Sequence, residues 1–176
     1  MSEPGASERQ CGDCQVCCVA LEVQDPTLQK PAGVPCQHLD GHGCSIYQWR
    51  PQPCRNFLCF WRLVPTLPEY WRPDLSGIFI YQIPNDTPGY DGHALVLSLA
   101  NGFAHLEDEA LLGFVLTAVQ NRQPIFLGMH RKNADAKGIF LNPPLEQAVA
   151  ANDRAGFVAV LKQAIEQKLG LGLPRL

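Results

Sequence analysis

The chain has 176 residues, a formal charge of -3, a pI near 5.9, 46% hydrophobic residues and 18% charged ones, a balance ordinary for one soluble globular domain. Its basic residues are scattered, with only Arg131 and Lys132 adjacent, so no surface for nucleic-acid phosphates or anionic lipid is expected. No run of eighteen apolar residues occurs, and stretches such as Ala110 to Ala118 are too short to span a bilayer, which argues against a membrane protein.

Residues 1–10 are polar and carry Gly and Pro, the composition of a disordered tail. They contain no apolar segment that could act as a secretory signal, so a cytoplasmic protein is expected. Order is expected from Cys11, with a cysteine-rich metal-binding region over 11–62 and an α+β region over 63–176, the two packed as one domain. Val19 to Val23 has the composition of a short strand. Asp25-Pro26 and the run from Lys30 to Pro35 then force extended or turn conformations. The stretch from there to Phe60 is expected to be loop organised by metal, with Pro51 and Pro53 making a stiff connection that delivers Cys54.

Beyond Trp61 the pattern becomes regular. Gly77 to Tyr81, His93 to Ser98 and Pro124 to Gly128 read as strands, with Ile139 to Leu141 a weaker fourth. Between Glu107 and Arg122, Leu111, Leu112, Val115, Leu116 and Val119 recur at helical spacing behind an acidic first turn. Leu145 to Ala151 reads as a shorter helix. Asp153 is a fitting N-cap for a last one whose apolar face is Phe157, Val160, Leu161, Ala164, Ile165 and Leu169, ended by Gly170. The expected fold is α+β: a loop-dominated, cysteine-rich N-terminal half, then a small, mostly antiparallel sheet with two or three helices.

All eight cysteines lie between Cys11 and Cys59. Four form Cys11-Gly-Asp-Cys14-Gln-Val-Cys17-Cys18, and Cys36, Cys44, Cys54 and Cys59 follow. In a reducing compartment such density points to metal binding or catalysis before disulfides. Soft thiolates suit zinc or iron-sulfur centres, and Cys-x-x-Cys spacing lets two sulfurs reach one centre without backbone strain. As a helix, Cys11 to Cys18 would put Cys11, Cys14 and Cys18 on one narrow face with Cys17 turned away from Cys18. Gly12 weakens that helix and leaves a turn open.

Eight thiols allow two four-coordinate zinc sites, one iron-sulfur cluster with spare cysteines, or a single zinc with structural thiols. Cys59, in an apolar run with Phe57, Leu58 and Phe60, is as readily a buried structural thiol as a ligand. Two zinc ions on eight thiolates would leave four negative charges to offset, for which Arg50 and Arg55, beside Cys54, are the candidates. Arg62 serves equally well as solvated surface. Tyr47, Trp49, Phe57, Phe60 and Trp61 could shield the site, though most are better read as core.

His38 and His42, between Cys36 and Cys44, are outranked as ligands by the thiols. His93, His105 and His130 have no ligand-spaced partner. Asp13 and Glu22 read as solvated surface, and Ser76 and Ser98 lack a nucleophile-elbow context.

The order Cys11-x-x-Cys14-x-x-Cys17-Cys18, Cys36-Gln-His-Leu39, Gly43-Cys44-Ser-Ile-Tyr47, Arg50-Pro51 and Cys54-Arg55-Asn-Phe57 resembles the CxxCxxCC family of zinc- or iron-chelating domain proteins. The resemblance covers about the first sixty residues. It implies metal chelation by these cysteines in a small bacterial cytoplasmic protein, mostly without an assigned reaction. Trp49 departs from the polar residue expected before Arg-Pro. Flagellin lysine methylases carry a similar cluster in a longer chain, which implies an alternative: an iron-sulfur enzyme of methyl or electron transfer, with a 4Fe-4S cluster. No glycine-rich turn for a nucleotide or adenosyl cofactor accompanies it; Gly41-His-Gly43 sits isolated within the cysteine loop. The metal ion is the expected partner, with an unidentified protein partner left open.

Overall fold

In a computed structural model the chain is described over residues 9–99, 108–128 and 138–170. The contacts divide it after Phe79 into two compact units, the first holding every cysteine. Glu107, His105, His130, Arg131, Lys132 and residues 1–8 of the expected tail lie outside the described residues.

In the first unit short elements alternate with turns: α1 (Val16–Ala20), β1 (Val23–Asp25), β2 (Leu28–Lys30), α2 (Gln52–Asn56), α3 (Phe60–Leu63) and α4 (Pro73–Ser76). Tyr47–Trp49 and Glu69–Trp71 each form a single 3₁₀ turn. β1 and β2 make an antiparallel hairpin in the register Val23↔Lys30. Asp25 closes it, its carboxylate accepting from the Thr27 amide at 2.9 Å and hydroxyl at 2.6 Å, the local bonding that makes Asp a turn residue.

Three expectations change in this unit. Val19 to Val23 is not a strand, because Val19 and Ala20 complete α1 and only Val23 enters β1. Pro51 and Pro53 do not hold Cys54 in extended chain; they open α2, where the fixed φ of proline suits a first turn and its missing N–H costs nothing. Arg9 is not part of a free tail, since its guanidinium donates to the carbonyls of Trp61, Pro65 and Leu67 and lies 4.8 Å from the Trp61 ring centre.

The second unit is α+β. A four-stranded sheet has the order β3 (Ile78–Ile83), β4 (Ala94–Leu99), β5 (Ile125–Leu127), β6 (Ile139–Phe140). β5 and β6 pair antiparallel, whereas β4 and β5 pair parallel in the register Val96↔Phe126. A parallel pair needs a crossover, and α5 (Glu109–Gln120) supplies it. Asp108 caps α5 by accepting from the amides of Ala110 and Leu111 at 2.9 and 3.0 Å. Leu111, Leu112, Val115, Ala118 and Val119 are buried; Leu116, assigned to that stripe, is 37% exposed.

α6 (Asn142–Ala150) and α7 (Arg154–Gly170) complete the unit. Asp153 accepts from the Gly156 amide at 2.8 Å, as its N-cap role predicts, and Phe157, Leu161, Ala164 and Ile165 are buried. Among the described residues no helix is long and apolar enough to cross a membrane.

Candidate metal centre

Four segments of the first unit bring cysteines together. Gly12, at φ 55°, turns the chain so that the Cys14 amide bonds the Cys11 carbonyl at 3.0 Å. That positive φ suits glycine, and it ends the possibility of a helix running from Cys11. Cys17 and Cys18 then sit on α1. The second segment docks on the first, the Cys36 amide donating to the Cys18 carbonyl at 3.1 Å. Its tip, through Gly41 and Gly43 at φ 89° and 136°, folds back so that Cys44 bridges Leu39. Cys54 lies in α2, and Cys59 caps α3 with its carbonyl accepting from the amides of Arg62 and Leu63.

Seven of the eight cysteines, Cys11, Cys17, Cys18, Cys36, Cys44, Cys54 and Cys59, line one cavity of about 230 Å³. Its wall also carries Lys30, Arg50, Arg62 and His38, with apolar faces from Leu21, Leu28 and Phe57 among others. Among the described residues no three Cys, His, Asp or Glu side chains converge closely enough to hold a metal ion. The thiols form a wall and do not close on a point; coordination would need their sulfurs to swing inward about χ1, the one torsion a cysteine has. The donor set itself, thiols with adjacent cations and little competing oxygen, fits zinc or iron.

Cys14 is the exception. It does not line the cavity. Its thiol bonds the Asp74 carboxylate, which Arg72 grips with two bonds of 2.8 and 2.9 Å. Burial, with the Asp74 charge adding, pushes the Cys14 thiol up to about 12.

Lys30, unmarked in the sequence reading, is the best-held cation. It is 5% exposed, and its Nζ donates to the carbonyls of Val19, Pro31 and Val34 at 3.0, 2.9 and 2.8 Å. An ammonium has three N–H groups and all three are taken. Lys30 therefore acts on the thiols through charge alone, while tying α1 to the segment that leads to Cys36. A signal for it existed: Leu28 and Lys30 are two apart in a strand and so share a face, and Leu28 is buried.

The other cations divide. Arg50 lines the cavity, its Nε donating to the Tyr47 carbonyl at 2.8 Å and its Nη1 to that of Cys54 at 3.4 Å, its guanidinium 3.7 Å from the Tyr47 ring centre. Arg62 lines it too, with Nε donating to the Arg9 carbonyl at 2.7 Å and Nη1 to Cys11 Sγ at 3.9 Å. Arg55, paired with Arg50 in the sequence reading, is exposed, lies outside the cavity wall and donates to Gln52 Oε1 at 2.8 Å.

Charge sorts the thiols as well. A hydrogen bond from Cys17, then Lys30 and Arg50, lower the Cys18 thiol to about 7 against the resistance of burial; the same bond, burial and the nearby Cys18, Cys11 and Cys14 raise Cys17. Burial raises Cys44 and Cys54; Cys18 and Cys36 add to both, and Cys44 to Cys54, while Arg50 opposes. Burial also raises Cys59, where the neighbouring charges are Cys11 and Arg62.

Of the remaining candidates, His42, His93 and Asp13 are exposed; Glu22 is exposed as well but stands in the cavity wall, the one carboxylate there. Ser76 is buried and bonded to the Ile78 amide at 2.9 Å, and Ser98 is buried in β4. Trp49 shields nothing: it is 84% exposed. Trp61 is buried, and Phe57 lies against Phe79 with ring centres 6.1 Å apart. Compared with the families of known proteins, with curated proteins and with solved structures, the chain finds no match.

Proposed function

We propose that this chain is a metal-binding protein that chelates zinc or iron through the cysteines of its N-terminal region. The observation that carries this reading is the joint placement of seven thiols and three cations around one cavity. Buried thiols crowded beside one another raise each other's proton affinity unless something positive draws off their charge, and Lys30, Arg50 and Arg62 stand where a thiolate-bound ion would leave excess negative charge. Random burial of cysteine as a small apolar residue does not require three cations in the same wall. The resemblance of the first sixty residues to a metal-chelating family points the same way.

When bound, the ion would cross-link the segments that carry the cysteines. The residues that would hold it are those on the cavity wall, with Lys30 keeping the α1 and Cys36 segments in register. Anaerobic purification of the full chain, with elemental analysis and an absorption spectrum, tests the reading. Zinc in a colourless protein, or iron with inorganic sulfide and broad visible absorbance, supports it and chooses the metal. Protein free of both that takes up neither when supplied overturns it.

A further inference from the structure

In the first unit the chain from Arg9 to Cys14 forms a strap in which no side chain is aliphatic or aromatic. Cys11 lines the cavity, whereas Gln10, Gly12 and Asp13 on either side of it are exposed, so here a single thickness of chain parts the cavity from solvent. Polar groups hold both ends of the strap. At the first, the Arg9 guanidinium donates to the carbonyls of Trp61, Pro65 and Leu67 at 3.0, 2.7 and 2.6 Å, and Arg62 Nε donates back to the Arg9 carbonyl at 2.7 Å. At the second, the Cys14 thiol bonds the Asp74 carboxylate, which Arg72 grips. Between the two ends the strap rests on the tip of the next cysteine segment, where a Cβ added to Gly43 would meet the Gly12 carbonyl oxygen at 3.3 Å.

The other thiols of the wall sit on more firmly buried chain. α1 ends on the buried Ala20, Lys30 ties α1 to the Cys36 segment, Cys54 follows the buried Pro51, and Cys59 and Trp61 are themselves buried. Segments with few buried apolar groups and solvent-exposed hydrogen bonds are the first to open locally. In the strap's fastenings the Arg9 bond to Pro65 and both bonds between Arg72 and Asp74 are exposed.

On this basis, and resting on the metal-binding reading above, we infer that the segment from Arg9 to Cys14 is a gate on the metal cavity, latched by Arg9 at one end and by Cys14 at the other, whose opening carries Cys11 out of the wall and sets the rate at which an ion enters and leaves.

An ion held by several thiolates leaves only as they detach one after another, and the thiolate on the least firmly held segment detaches first. Cys11 is that thiol. Cys14 has a different duty, fastening the strap from outside the wall, and is not a ligand. Arg9, Cys14 and Asp74 all stand outside the cavity wall, so they hold the strap whether or not an ion is bound. Loosening them therefore raises the rates in both directions and moves the affinity little.

The test is the kinetics of Co²⁺ uptake by the reduced, metal-free full chain and of its release to excess EDTA, both followed by thiolate-to-cobalt charge transfer in stopped flow. Arg9→Gln and Asp74→Ala, at opposite ends of the strap, should each raise both rates by about tenfold and leave the affinity within about threefold. Cys14→Ala should act as Asp74→Ala does and bind as many ions as the wild type. Arg55→Gln, on the same unit but away from the strap, should change neither rate.

Hydrogen exchange of the metal-free chain reads the strap without any ion. The Cys14 amide, bonded to the Cys11 carbonyl at 3.0 Å, should exchange faster in Arg9→Gln and Asp74→Ala, and the Cys36 amide, bonded to the Cys18 carbonyl at 3.1 Å, should not. If one variant fails to fold, the other carries the test from its own end. Unchanged rates in the folded variants, faster release with unchanged uptake, equal acceleration of exchange at Cys14 and Cys36, or fewer ions on Cys14→Ala overturns the gate and leaves metal binding intact. No binding of Co²⁺, zinc or iron by the wild type overturns the metal-binding reading, and the gate with it.

Discussion

At the scale of single residues the first unit turns on Lys30. Burying an ammonium is costly unless its protons find acceptors, and here three carbonyls from two segments receive them. Lys30→Met keeps the apolar stem but leaves those carbonyls without their donor, so stability should fall by roughly 2 to 3 kcal/mol in urea unfolding monitored by circular dichroism. The same substitution tests the electrostatics. Cys18, held at about 7 by its bond from Cys17 and by Lys30 and Arg50, is expected to be the first thiol of the metal-free protein to react with iodoacetamide, its rate rising through neutral pH. A cation stabilises the thiolate, so removing Lys30 should shift that rise to higher pH; mass-spectrometric mapping of the alkylated peptide across pH 5 to 9 decides it. An unchanged profile would show that Lys30 acts only as a tie.

At the scale of elements, Asn142 shows how a single side chain sets a junction. It is 0% exposed, its Oδ1 accepting from the Ile125 amide at 2.7 Å and its Nδ2 donating to the Gln123 carbonyl at 2.9 Å, so the first residue of α6 completes the start of β5. Asn142→Leu should cost about 3 kcal/mol, because a buried amide and carbonyl lose their partners together. Asp108→Ala, at the capped but more exposed start of α5, should cost only about 1 kcal/mol. Thermal or denaturant melts of the two variants read the difference directly. The helices and strands of this unit were legible because their signals are local: Leu111 to Val119 repeats at helical spacing, Asp108 and Asp153 cap, and β-branched runs sit between turn residues. The parallel pairing of β4 and β5 was not expected, the sheet having been read as mostly antiparallel, although a helix lying between two strands is the crossover that such a pair needs. Asn142 was not legible, because its partners are 17 and 19 positions away. In the cysteine region even local signals misled. Pro53, met as a helix breaker, opens α2, and the composition of Val19 to Val23 gave way to α1 because the chain there must dock Cys18 against Cys36. The thiols themselves were visible at once; which arginine accompanies them was not, and Arg62 stands where Arg55 was expected.

At the scale of the molecule the two units differ in what holds them. The second has a conventional apolar core, with Leu95, Leu97, Leu111, Ile125, Leu145 and Leu161 almost wholly buried. The first has helices of four or five residues, too short to persist without outside support. Metal removal should therefore act unevenly. A strong chelator under reducing conditions should expose the amides of residues 11–63 to hydrogen exchange, with a loss on the order of 10 kcal/mol if a structural ion is removed, while the amides of Leu111, Val115 and Leu161 keep their protection. Uniform loss of protection in both units would refute that separation. The placement of the aromatic residues makes the same event visible to the eye of a fluorimeter. All three tryptophans of the chain, Trp49, Trp61 and Trp71, precede Phe79, so indole emission originates in the thiol-bearing unit. Iodide in the buffer mutes the solvent-facing Trp49 and leaves the sheltered pair, whose red shift then serves as a clock for the collapse of the region around the ion.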